Sequence, residues 1–412
     1  MHFKSLSPNQ LFNWLTVALA FSIPLSIGAY TLISALLAIV WIWEGNWKIK
    51  WKMIREQKVF WFISLFFLYY SLTLTWSDHV AEGLDYLRKF YFFLLLPMFY
   101  TSLRSDYLAP ILKAFLAAMI ISEVLSYLIF FELMPFQYKP TWSPADPSPF
   151  MSRGIYSFFL SFTVLLMVIN LFEKRHTPLR TAIYLLFIIT MLSNLFMNAG
   201  RTGQIAVVGG SIIYLLTYFK FNLLKTFSIL TPIIATVFFL AYQMSPNFNQ
   251  RSLETINSIA YMTLNGTPLS DDSTGQRVMI WEVGMSIVKD NLLVGIGLGD
   301  HTDVYKSVIT NNFSTYPSFM SGFTDFHNTY LHITVNGGIL ALLLWLLLLW
   351  SLATSLTIEP KYRSIGAIML GLLALYMMIG NLPASYLTIL FVLIMGITLK
   401  RPSDDFRNSV VQ

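Results

Sequence analysis

The sequence predicts an all-α polytopic membrane protein of about twelve transmembrane helices, with one large loop between the ninth and tenth. Three observations predict it. Of the 412 residues 56% are hydrophobic and only 12% charged, about half the charged share of an ordinary soluble chain. Mean hydropathy is +0.61. Apolar runs such as residues 338–350 continue without the period-two alternation that barrel strands require. A soluble enzyme, a β-barrel and a disordered scaffold are excluded together.

Spans of roughly 20 residues are expected at 11–25, 28–44, 59–76, 84–100, 107–131, 153–172, 181–198, 202–219, 226–243, 326–350, 364–380 and 383–399. Met1 to Gln10 holds one cation, Lys4, and no small-residue cleavage site, so the first span reads as a retained helix. After the second span come Lys48, Lys50, Lys52, Arg55 and Lys58, beside an aromatic belt of Trp41, Trp43, Trp47 and Trp51. Span four carries Arg88 and Lys89 near Asp78, Glu82 and Asp85, and span five carries Lys113, able to snorkel from its inner end. Loop 132–152 has five prolines and is expected to be extended. Lys174, Arg175, Arg180, Lys220, Lys225, Lys361, Arg363, Lys400 and Arg401 fall in loops of the same parity as the first basic cluster, which places both termini in the cytoplasm.

The large loop, 245–325, lies on the opposite side. Asp271 to Asp290 reads as an amphipathic helix capped at Ser273/Thr274, with Val278, Trp281, Met285 and Val288 along one face. Gly295, Gly297 and Gly299 then form a flexible turn; they follow a helix and lack the spacing of a dinucleotide fingerprint. No internal repeat is visible. The chain divides into 1–244, 245–325 and 326–412.

Cysteine is absent, so thiolate chemistry, disulfides and Cys-ligated metals are excluded. The net charge of +6 reflects membrane topology and does not imply a nucleic-acid partner. The informative cations are those on the outer side. Arg201 sits in the turn Asn198-Ala199-Gly200-Arg201-Thr202-Gly203 with no carboxylate nearby in sequence; it either faces an anion or snorkels to headgroups. Arg277, in the first turn of the loop helix, either shares an anion with free N–H groups or pairs with Asp271 or Asp272. Those two aspartates are either a metal site or capping residues. His2 and His176 read as solvated, and His79 and His301 show no obvious partner. His327 and His332 are five apart, about 140° around a helix, which disfavours a shared metal. A histidine at the outer end of an apolar helix is either a general base or a helix-end residue bonded to a carbonyl.

With these residues the chain resembles the O-antigen ligase family. The carriers are Arg201-Thr202-Gly203, Arg277 with Trp281, Gly295-Ile296-Gly297, and His327-Asn328 followed by Gly337. The resemblance implies a GT-C-like bacterial inner-membrane glycosyltransferase whose large loop and active site face the periplasm. Its donor would be an undecaprenyl-diphosphate-linked O-antigen and its acceptor a sugar hydroxyl of lipid A-core, joined with inversion and without metal or cofactor. His327 would be the catalytic base and Arg201 and Arg277 the diphosphate ligands. Arg153, Arg88, Asn328, Tyr330 and Trp281 are supporting candidates. An O-antigen polymerase shares the module. A polysaccharide or lipid transporter is the reading from another class, although transporters place charge near the midplane. Protein O-oligosaccharyltransferases are disfavoured by the short stretch after the last span.

Overall fold

The computed structural model describes residues 7–134, 142–173, 175–198 and 200–401. They form seventeen α-helices and no strand: α1 Pro8–Ser22, α2 Ile27–Glu44, α3 Trp47–Glu56, α4 Lys58–Leu72, α5 Val80–Arg88, α6 Leu95–Ser102, α7 Leu108–Phe130, α8 Arg153–Glu173, α9 Pro178–Met197, α10 Arg201–Tyr218, α11 Leu223–Met244, α12 Pro246–Asn265, α13 Ser273–Asp290, α14 His301–Asn312, α15 Thr329–Thr354, α16 Pro360–Met377 and α17 Ser385–Thr398. Among them seven helical segments are long and apolar enough to cross a membrane: 27–44, 58–76, 105–130, 153–173, 178–197, 223–244 and 329–354.

Starts are written locally. Ser7 and Gln10 make a capping box on α1, and Thr177, Asn222, Ser245 and Asn328 cap α9, α11, α12 and α15 through their side chains. Pro178 and Pro246 occupy first-turn positions, where no N–H is needed. Burial then sorts the helices. The apolar window of α8 is 72% buried and that of α11 only 11%, so α8 belongs to the centre and α11 to the rim. α17 is apolar on every side and buried from Tyr386 to Thr398. The core is aromatic, with Phe66, Tyr70, Phe93 and Trp345 in mutual ring contact or one ring removed. Leu32, Ile39, Leu68, Ile189 and Phe239 are exposed on the outer helices, as lipid contact requires.

Four sequence expectations change here. The stretch 84–100 is not one span: α5 ends at Arg88, a 3-10 turn covers Tyr91–Leu94 and α6 follows. The charges of Asp85, Arg88 and Lys89 keep α5 at the surface, and Pro97 is tolerated because it falls in the first turn of α6. The basic loop after α2 contains the amphipathic α3, whose Lys50 is buried, paired with Glu44 at 2.9 Å and set over Trp41. The described part of loop 132–152 is a turn closed by a bridge between Ser143 and Asp146, not an extended strap; its Pro135 and Pro140 lie outside the described residues. The large loop holds three helices, of which only α13 was legible; α13 and α14 build a second core with α15 from Ile280, Val283, Ile287, Ile309, Phe326 and Val335, while Phe248 of α12 packs separately with Phe196 and Ala241.

α13 buries Val288 as expected, but the rest of its buried face is Gly275, Met279, Ile280, Val283, Gly284 and Ile287, whereas Met285 is exposed. Contact with α15 and α14, which hydropathy cannot see, rotates the burial. Its cap is Asp272, whose carboxylate accepts from the N–H groups of Thr274 and Gly275.

The glycine run is a turn, but a packed one. α15 breaks at Gly338 (φ 67°, ψ −171°), and the freed groups are met by the segment after α13. The carbonyls of Val335 and Asn336 accept from Ile296 and Gly297 N–H at 3.0 and 3.1 Å, and Ile339 N–H donates to the Leu292 carbonyl at 2.8 Å. Gly295 and Gly297 have φ of +72° and +99°, and a Cβ on Gly338 would stand 2.2 Å from the Leu293 carbonyl oxygen. Gly338→Ala should therefore cost on the order of 1–3 kcal/mol from conformation alone and lower the thermal midpoint in detergent. Gly322→Ala, where a Cβ meets nothing within 4 Å, should leave that midpoint unchanged.

Candidate active site

Arg201 is the first residue of α10, and the close approach of α10 to α8 puts it there. A Cβ on Gly203 would lie 2.3 Å from the Ser157 carbonyl oxygen, the Ser157 hydroxyl accepts from Gly203 N–H at 3.1 Å, and the Ser161 hydroxyl donates to the Gly203 carbonyl at 2.7 Å. The Thr202-Gly203 step is thus a helix-packing requirement that aims Arg201 outward. Its guanidinium donates to Thr274 Oγ1 at 3.1 Å and Ser273 Oγ at 3.4 Å, both at the start of α13, and lies 3.7 Å from Glu254 of α12. Sequence proximity offered it no carboxylate; the tertiary fold supplies one. Glu254 is shared, since Arg251 contacts the same oxygen at 3.0 Å.

Arg277 stands one turn inside α13, not in its first turn, because the helix starts at Ser273. It forms no ion pair with Asp271 or Asp272: Asp272 is occupied as the cap, and Asp271 accepts from the Ser270 hydroxyl at 3.1 Å. Burial is the largest influence acting against its charge and the neighbouring Arg201 the next, partly offset by Tyr376 and Asp325. A guanidinium stays protonated regardless, so the strain is that of two like charges held together half out of water.

His327 precedes α15 with φ +46°, a left-handed conformation uncommon for a residue with a Cβ. Asp325 imposes it. One carboxylate oxygen accepts from the His327 backbone N–H at 2.7 Å and meets the ring Nδ1 at 2.8 Å. With Nδ1 donating to Asp325, Nε2 is left as the lone-pair nitrogen, and the side chain is 39% exposed. Burial works to raise the Asp325 carboxyl, but the hydrogen bond and charge of His327 outweigh it and hold it below the usual carboxylate range. The same Asp325 acts on Arg277, so one carboxylate couples the imidazole to the cations.

The supporting candidates divide. Asn328 caps α15 by accepting from Leu331 N–H at 3.0 Å, Trp281 donates its indole N–H to the Phe326 carbonyl at 3.0 Å, and Tyr330 donates to the Ala374 carbonyl at 3.2 Å. All three hold the His327 turn in place. Arg153, at the start of α8, lies 3.5 Å from Asp146, and its buried Nε has no partner. Arg88 is 78% exposed and paired with Asp85 at 2.6 Å, a surface ion pair and nothing more.

Sequence reasoning missed Asp325, Glu254 and Arg251 as site residues. Asp325 had a signal, an Asp two residues before His327, the spacing of a side chain folding back on the backbone. Glu254 had none, because α12 was unrecognised. Three other histidines have partners after all, while His2 lies outside the described residues: His79 bridges Asp300 at 3.0 Å and Asp303 at 3.1 Å, His301 Nε2 meets the Thr324 carbonyl at 3.1 Å, and His176 Nε2 meets the Asn170 carbonyl at 3.0 Å. His332 is buried and stacked on Tyr86 at 4.7 Å. Beside Asp325 a cleft of about 590 Å3 opens between α5, α14 and the α16–α17 turn, with Glu82, Tyr86, Lys89, His301 and Asn381 in its wall. A groove of about 590 Å3 runs from Arg201 and Arg251 along Ile205, Phe238, Ile256 and Leu375.

The arrangement gathers guanidiniums and a carboxylate-oriented histidine in one helical protein with several helices apolar enough to cross a membrane. Residues 186–346 match the family model described as O-antigen ligase. The segment contains Arg201, Arg277, Asp325 and His327. No curated protein matches the chain.

Burial pushes the His301 imidazole below its ordinary range, with Thr324 and Asp325 opposing it in part. A folded value lower than the unfolded one means stability is complete above about pH 6.5 and is lost as the pH falls through the lowered folded value. The thermal midpoint should drop on acidification through that window, and His301→Asn should flatten the drop; identical pH profiles for the two proteins would remove the assignment.

Proposed function

We propose that the chain is an O-antigen ligase of the bacterial inner membrane, transferring an undecaprenyl-diphosphate-linked polysaccharide to a sugar hydroxyl of lipid A-core. In this reading the helical bundle crosses the bilayer with cytoplasmic termini, and the 245–325 segment with α12, α13 and α14 covers the site on the periplasmic side. The observation that carries it is the imbalance around Arg201: Arg201, Arg251 and Arg277 are gathered while Glu254 is the one carboxylate within 4.0 Å of any of them among the described residues. A diphosphate restores the balance.

The geometry supports the following chemistry. The donor's apolar chain lies along the groove below Arg201 and Arg251, and its diphosphate between Arg201 and Arg277. The acceptor glycan enters by the cleft beside Asp325, whose carboxylates suit hydroxyl donors. The acceptor hydroxyl attacks the donor's anomeric carbon and gives its proton to His327 Nε2. The bond from that carbon to the diphosphate oxygen breaks, its electron pair stays on the diphosphate, and attack opposite the leaving group inverts the centre. The guanidiniums are fixed where this charge develops, and Asp325 stabilises the imidazolium that forms. In this reading the arginines do the work of a divalent metal.

Reconstituted with undecaprenyl-diphosphate glycan and rough lipopolysaccharide, the protein should lose about 10²–10⁴-fold in transfer rate on His327→Ala while still binding donor. Arg277→Ala should lose about 10²–10³-fold together with donor affinity, and EDTA should change neither. Full-rate transfer by His327→Ala would remove the base. Glycan passing only between undecaprenyl carriers would make the chain a polymerase.

A further inference from the structure

A further cavity lies far from Arg201 and Arg277, at the opposite end of the bundle. About 430 Å3 lies between the first turns of α7, the last turns of α8 and the starts of α9 and α16. Lys113, Arg180, Lys361 and His176 contribute to its wall, and its described lining contains no aspartate or glutamate. Positive-inside topology explains why cations are at this end, but not why cations from three separate helices surround one space.

The wall is a built one. Asn170 of α8 joins it: its side-chain amide donates to the Tyr184 hydroxyl at 2.7 Å, its Oδ1 accepts from Lys361 Nζ at 3.1 Å, and its carbonyl meets His176 Nε2 at 3.0 Å. The His176 ring also packs against Tyr184 at 5.3 Å. α8, α9 and α16 are thereby held at fixed separation around the cavity. Lys113 and Arg180 are exposed, so their charged ends remain available. The rest of the lining is apolar: Leu112, Leu166 and Ile365 are buried, and Ile183 is exposed on the flank of α9.

A cationic mouth on an apolar slot, open at the flank of a membrane helix, matches one chemical class. We propose that this cavity binds the phosphodiester headgroup of an anionic phospholipid from the leaflet at the basic end, with an acyl chain along Leu116 and Ile183. Lys113 and Arg180 supply the charge. Asn170 and Tyr184 fix the frame. A soluble phosphate would satisfy the cations but leave the apolar walls without an occupant, and a zwitterionic lipid would bring its own cation against them.

Delipidated full-length protein in neutral detergent should show a saturable rise in thermal midpoint with dioleoylphosphatidylglycerol, and none with dioleoylphosphatidylcholine or glycerol-3-phosphate. The double variant Lys113→Gln/Arg180→Gln, both exposed positions, should fold normally and weaken the phosphatidylglycerol response about tenfold. Lys220→Gln/Lys225→Gln, at the same end but outside the cavity, should not. An equal response to phosphatidylcholine, an equal loss in both double variants, or a full response to glycerol-3-phosphate alone would each overturn the lipid site.

Discussion

The break in α15 at Gly338 is the constraint on which the end of the bundle carrying Arg277 and His327 depends. A helix interrupted inside a bundle frees backbone carbonyls and N–H groups that have no water to turn to. Here Val335, Asn336 and Ile339 find their partners in the segment after α13, within a turn that only glycine can make so closely. Those hydrogen bonds tie α13 to α15. Arg277 rides on the first of these helices and His327 stands just before the second, so a backbone accounting problem sets how the guanidinium and the imidazole stand to each other.

Charge is organised around that frame with little redundancy. Asp325 orients the His327 imidazole, forces its backbone into a left-handed turn and acts on Arg277 from the other side. Glu254 serves both Arg201 and Arg251. With so few carboxylates, the guanidiniums stay close to one another half out of water. Packing alone gives no reason for such an arrangement.

The opposite end shows the same logic in weaker form. The Asn170 network arranges three helices so that Lys113, Arg180 and Lys361 line one cavity.

Much was legible in the residues themselves. Hydropathy alone determined an all-helical membrane chain, because long apolar runs can bury their backbone in lipid only as helices. The rarity of charge singled out Arg201, Arg277 and His327. The cap before α13 was readable as Asp-Asp-Ser-Thr, although which carboxylate or hydroxyl would do the capping was not. Tertiary structure decided the rest. It split 84–100 into α5 and α6, turned the buried face of α13 toward Ile280 and Val283, and converted a glycine run from a loose link into a clamp. It also brought Glu254 to Arg201 from 53 residues away (254 − 201) and gave His79 and His301 their partners. The reason is common to all of these. Periodicity and composition report how a segment meets its solvent, whereas hydrogen-bond partners, ion pairs and helix rotation depend on which other segment stands opposite, and that is settled only when the helices pack.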